Sequence, residues 1–145
     1  MGTLTARQVA GYFLAQMDDD SGDTISNLKI QKLVYYAQGF HLAIYGKPLF
    51  REPIVAWAHG PVVVSLYHVY SAYEDKAIPK PEAIDFSVYS RTVRKLLDEV
   101  WCVFGQFSAW KLRNMTHDES PWKDAPRNGI ISHKSMQVYF KQFVN

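Results

Sequence analysis

The sequence predicts a mostly α, compact single-domain helical fold over residues 1–145, with one small β-hairpin or edge strand pair. Three observations predict it. The stretch Ser26 to Gly46, SNLKIQKLVYYAQGFHLAIYG, repeats apolar residues at three- and four-residue steps along two lines, so it reads as a helix covered on more than one side. Helix-start signals recur at Thr5, Ser26, Ser108, Ser120-Pro121 and Ser132. Only Leu49 to Ala58 is short, β-prone and interrupted by a proline.

In chain order, Thr5 and Gln8 have the spacing of a capping box, and Leu4 and Val9 can staple across it, predicting a first helix from about Ala6 to Met17. The acidic segment Asp18 to Asp23 must lie beyond that helix, because its carboxylates oppose the negative partial charge of a helix C-terminus. As a calcium loop it fails: Asp23 and Lys29 stand where an EF-hand needs Gly and Glu. The central helix follows. Ser26 caps it, Ile25 and Ile30 staple its start, and Gly46 and Pro48 stop it. Leu49–Phe50 and Ile54–Ala58 form the β element, with Trp57 as its largest side chain. Gly60-Pro61 reads as a cap followed by proline at the first helical position, launching a helix with Val63, Leu66, Tyr67 and Tyr70 on one face. Pro79 and Pro81 make Glu74–Glu82 a surface linker. A long helix is expected from about Ser87 to Phe104, stopped by Gly105, then shorter helices carrying Trp110 and Trp122, a turn at Asn128-Gly129, and a last helix capped by Ser132.

Composition excludes more than it selects. A hydrophobic content of 48% in 145 residues supports one substantial core, and a net charge of +2 with 21% charged residues names no partner. No apolar run approaches a membrane span and no signal-peptide pattern opens the chain, so the expected location is cytoplasmic. Aromatics make up 14%, a surplus over what a core requires that suits a binding surface.

Little in the sequence points to chemistry. Cys102 sits in the apolar run Val100 to Phe104 and reads as a buried, inert thiol. The five histidines show no i, i+4 zinc spacing, and His41, on an apolar face, reads as a core histidine. His59 before Gly60-Pro61, and His117 with Asp118 and Glu119, are the places where a hydrolytic or metal pocket could assemble; the enzyme reading is nevertheless the minor one, and no metal or cofactor is expected. No glycine-rich phosphate loop is present. Arg91, Arg94 and Lys95, and Lys111, Arg113, Lys123 and Arg127, lie partly beside Trp110 and Trp122, a pattern that can hold single strands, but acidic neighbours make a solvated face the better reading.

A set of residues in fixed order then stands out: Ile25 to Gly39 (ISNLKIQKLVYYAQG), Gly46 to Phe50 (GKPLF), Ala56 to Val63 (AWAHGPVV), Ser65-Leu66-Tyr67, Thr116-His117, and Pro121-Trp122 with Ala125. The order and number of these matches resemble the Panacea antitoxin domain family, which includes SocA-type antitoxins and phage-associated GepA-like proteins. Where that family often has an aromatic residue before the Gly-Pro step, this chain has His59. The resemblance implies an antitoxin that neutralises a cognate protein toxin by direct contact; the alternative is an adaptor that delivers the toxin to an ATP-dependent protease. Leu33, Ala37, Trp57, Gly60 and Pro61 are assigned to the scaffold. Tyr36, His59, Tyr67, Trp110, His117 and Trp122 are the expected partner contacts, because they combine aromatic or polar groups with turns and helix edges.

Overall fold

A computed structural model describes residues 3–17 and 24–144; the acidic segment considered as a cation loop lies outside them. Helix α1 (Ala6–Ala15) opens on the predicted capping box, with Thr5 Oγ1 accepting from the Gln8 N–H and Gln8 Oε1 accepting from the Thr5 N–H. Helix α2 (Asn27–Tyr45) is capped by Ser26 and ends on Gly46 in the left-handed conformation, φ 72°. It is the hub, with α1, α4 (Arg91–Phe104), α5 (Ala109–His117) and α7 (His133–Lys141) packed against it. Leu33 and Ala37, the two α2 residues expected to serve the scaffold, are fully buried.

Burial on all sides leaves α2 with polar side chains inside the core: Asn27, Lys29, Gln31, Lys32, Gln38 and His41. They bond the backbone of the irregular segments around the helix. Gln38 accepts from Leu49 N–H and donates to the Phe50 carbonyl; Gln31 accepts from Val63 N–H; Asn27 donates to the Tyr67 carbonyl; Lys29 donates to the Gly105 carbonyl. Buried loop backbone needs such partners, and α2 supplies them. His41 is the expected core histidine, its Nδ1 2.7 Å from the Lys47 carbonyl oxygen. At Gly39 the missing side chain leaves room for α7, since a Cβ there would collide with the Phe140 ring.

The β element corrects the reading of Gly60-Pro61. These residues do not launch a helix; Gly60–Val62 is strand β2, antiparallel to β1 (Ile54–Trp57), with Ala58 and His59 as the connecting turn. Proline is tolerated because Ala56, opposite Pro61, directs its N–H and C=O the other way, to Gly129 and Asn128, so the missing N–H leaves no ladder bond unmade. A third strand, β3 (Ile130–Ile131), pairs with the far side of β1, giving the order β2-β1-β3. Helix α3 (Val64–Tyr70) therefore begins later than the proline suggests, with a 3-10 turn (Ser71–Tyr73) after it. The Glu74–Glu82 segment is irregular as expected, but Ile78 is buried and its N–H donates to the Ile25 carbonyl.

Two further expectations change at the long fourth helix. It starts at Arg91, capped by Ser90, because Asp85 bonds Ser87 and closes a separate 3-10 turn at Phe86–Val88. Cys102 is exposed rather than buried. Leu96, Leu97 and Val100 are the buried residues of this helix, and Val93, Trp101 and Phe104 pack partly buried against the core; the apolar run around Cys102 spans more than one turn, so part of it must face outwards. Helix α6 (Ser120–Lys123) is a single turn with Pro121 near its start.

Candidate partner-binding site

The first turns of α2, the β1–β2 hairpin, α3 with its 3-10 turn, and the start of α5 enclose an open groove of about 910 Å³. Three of the six expected contact residues line it. Tyr67 meets Trp57 edge-on at 5.1 Å between ring centroids, and His59 lies 6.1 Å from Trp110, which is 56% exposed. Arg113 ties this wall together: its guanidinium stands 4.4 Å from the Trp110 ring and its Nε donates to His59 Nδ1 at 3.2 Å. The rim carries Glu74 and Asp75, and the floor carries Asn27, Gln31 and Lys32.

Lys32 is fully buried, and its Nζ donates to the Pro61 carbonyl at 3.2 Å. Burial, then the charge of Arg113, lowers its pKa from 10.5 to about 7. The hairpin closes over this amine only because residue 60 is glycine. Gly60 has φ 113°, and a Cβ there would stand 2.6 Å from Lys32 Cε and 2.9 Å from Thr116 Oγ1.

His117 and Trp122 form a second group behind the hairpin, outside the groove lining. Their rings stack at 4.0 Å and 8°, the Arg127 guanidinium lies 4.0 Å from the Trp122 ring, and Trp122 Nε1 donates to the Trp57 carbonyl at 2.8 Å. Burial, then Arg113, lowers the His117 pKa, and its Nε2 is buried without a hydrogen-bond partner in the structure. Both groups are positioned by β1, through the ring of Trp57 on one side and its carbonyl on the other.

Tyr36 stands apart, with 1% of its surface exposed. A helix-edge residue was expected there, but α2 has no open edge at that turn. Its ring stacks on Phe104 at 4.0 Å, and its hydroxyl donates to Glu119 Oε2 at 2.7 Å while Tyr35 donates to Oε1 at 2.9 Å. Burial raises the Glu119 pKa to about 7 against the opposing effect of those two hydrogen bonds. This cluster floors a second, apolar pocket of about 510 Å³ bordered by Phe40, Phe104, Phe140 and Phe143.

The sequence reading missed Lys32, Gln31 and Asn27 as groove residues. A signal existed, namely charged and amide side chains inside an otherwise apolar helix, but the sequence does not say which cavity such groups face. Among the described residues no three His, Cys, Asp or Glu side chains are grouped to hold a metal ion, and no helix is long and apolar enough to cross a membrane. His59 and His117 both interact with Arg113, one by a hydrogen bond and the other by charge.

Residues 30–123, from α2 to α6, match the model of the family described as Antitoxin SocA-like, Panacea domain. The chain belongs to this family. Antitoxin SocA of Caulobacter vibrioides (strain NA1000 / CB15N) is 32% identical over 117 residues, covering 72% of this chain. The match takes in 61% of that relative's length. No solved structure matches the chain. Of the groove residues named above, Gln31, Lys32, Trp57, His59, Tyr67, Glu74, Asp75 and Trp110 fall inside the matched residues and Asn27 lies before them.

Proposed function

We propose that this Panacea domain is the antitoxin of a toxin–antitoxin pair and neutralises a cognate protein toxin by direct contact through the groove between α2, the β1–β2 hairpin and α5. The observation that carries the reading is the gathering of His59, Tyr67 and Trp110, with Trp57 and Arg113, around one open cavity on a rigid scaffold. Exposed aromatics backed by an arginine on a pre-formed surface are the side chains that dominate protein–protein affinity. The family supports an antitoxin role, and the similarity to Antitoxin SocA agrees with it. His117 and Trp122 support the hairpin from behind in this reading, and Tyr36 supports the core.

The test is co-expression of the neighbouring gene product with this protein, scoring growth and purifying the complex. Rescue by the wild type, with alanine at Trp110 or Tyr67 weakening the complex by about 2 kcal/mol or more and leaving the melting temperature unchanged, is the expected outcome. Rescue that disappears in cells lacking an ATP-dependent protease assigns the adaptor role instead. A toxin bound undiminished by both alanine variants places the interface elsewhere.

A further inference from the structure

We infer that the floor of the groove is a carboxylate-accepting subsite, in which Lys32 receives an acidic side chain of the protein partner. The inference rests on the antitoxin reading for the identity of that partner, while the subsite itself rests on geometry. Lys32 is 0% exposed yet lines the groove, and a lysine ammonium has three N–H donors, of which the Pro61 carbonyl takes one. Among the described residues no carboxylate stands within ion-pair distance of it. The basic groups around it are Arg113 and His117 from α5, His59 from the hairpin turn, whose Nδ1 accepts from Arg113, and Lys29 one turn back on α2, engaged by the Gly105 carbonyl. The acids nearby are otherwise placed, Glu74 and Asp75 at the rim and Glu119 with Tyr35 and Tyr36.

A buried amine with spare donors and no counter-ion is incomplete in the free protein, and a carboxylate entering from the groove completes it. Asn27 and Gln31 at the same floor add amide groups beside the entry path. Because the free amine is charged only below about pH 7, and a carboxylate beside it restores the charged form, binding takes up a proton above that value. Affinity is then greatest below about pH 7 and falls by up to about tenfold per pH unit as the pH rises beyond it.

Two measurements on the full chain test this. In the free protein with carbon-13-labelled lysine, the Lys32 signal is the one missing from the Lys32→Met spectrum. N-acetyl-glutamate amide should shift it saturably and raise its titration midpoint by about one unit or more, while the neutral N-acetyl-glutamine amide should not. Equal responses to both probes, or none, overturn the subsite. In the toxin complex, wild-type affinity should fall roughly tenfold or more between about pH 6 and about pH 8.5, and Lys32→Met, with its fold checked by circular dichroism, should bind about tenfold or more weakly at the lower pH and lose the pH dependence. Lys32→Met that binds toxin like the wild type at both pH values also overturns the subsite and leaves the antitoxin reading intact. Saturable glutamate binding by a protein that does not bind or neutralise the neighbouring toxin does the reverse.

Discussion

At the scale of single residues, two buried ionisable groups contribute opposite pH dependences to the stability of the free protein. Lys32 has a folded-state pKa of about 7 against 10.5 unfolded, so between those values the unfolded chain holds more protons and this group makes stability rise with pH; the penalty is complete below about pH 7. Lys32→Met should therefore raise stability by roughly 1–4 kcal/mol near pH 6, with the gain shrinking towards pH 10, as read from urea unfolding at each pH. A constant difference across that range would show that the amine is not buried neutral. Glu119 works in the opposite direction. Its folded pKa of about 7 exceeds the ordinary 4.5, so the native state holds more protons between them, and stability from this group is lost as pH rises from 4.5 to 7. The loss is on the order of 3 kcal/mol, and Glu119→Gln should remove the slope while keeping an acceptor and a donor for the Tyr35 and Tyr36 hydroxyls. Parallel pH profiles for the two proteins would count against this.

At the scale of elements, α2 and α7 meet through a glycine. The Phe140 ring occupies the space that a side chain at position 39 would take. Gly39→Ala exchanges a small gain in helix propensity for that collision, and close packing makes the collision dominate. The expected cost is about 1–3 kcal/mol by denaturant unfolding, and a stabilised variant would mean that α7 does not sit where the structure places it. The hairpin obeys a comparable constraint. Gly60 and Pro61 form a strand edge lying on Lys32 and Thr116 rather than a helix start. Glycine followed by proline is compatible with both outcomes, and pairing with β1, itself held on its other side by Asn128–Ile131, decides between them.

Across the whole molecule, α2 packs against α1, α3, α4, α5 and α7, and its buried amides hold the loops, so the unit that opens last should be centred on it. Amide hydrogen exchange should show α2 protected to the level of global unfolding, with the Glu74–Glu82 segment exchanging fast except at the Ile78 N–H, which is bonded to Ile25. Early exchange in the middle of α2 would contradict its place as hub. Much of this was legible in the sequence: the Thr5–Gln8 box, the Ser26 and Ser132 caps, the Gly46 stop and the doubled apolar stripe of α2 are local patterns that steric and hydrogen-bonding rules fix over a few residues. The family was legible too, from the order of the motif residues. Of the expected contacts, His59, Tyr67 and Trp110 share a groove, His117 and Trp122 stack behind it, and Tyr36 is enclosed. The sequence by itself determined that the chain is mostly helical, where α2 starts and stops, and that α2 must be covered on more than one side. Only the tertiary structure decided that Cys102 faces solvent, that Gly60-Pro61 is a strand, and that Lys32 lies beneath an aromatic groove, because those outcomes depend on partners distant in sequence whose positions no local periodicity encodes.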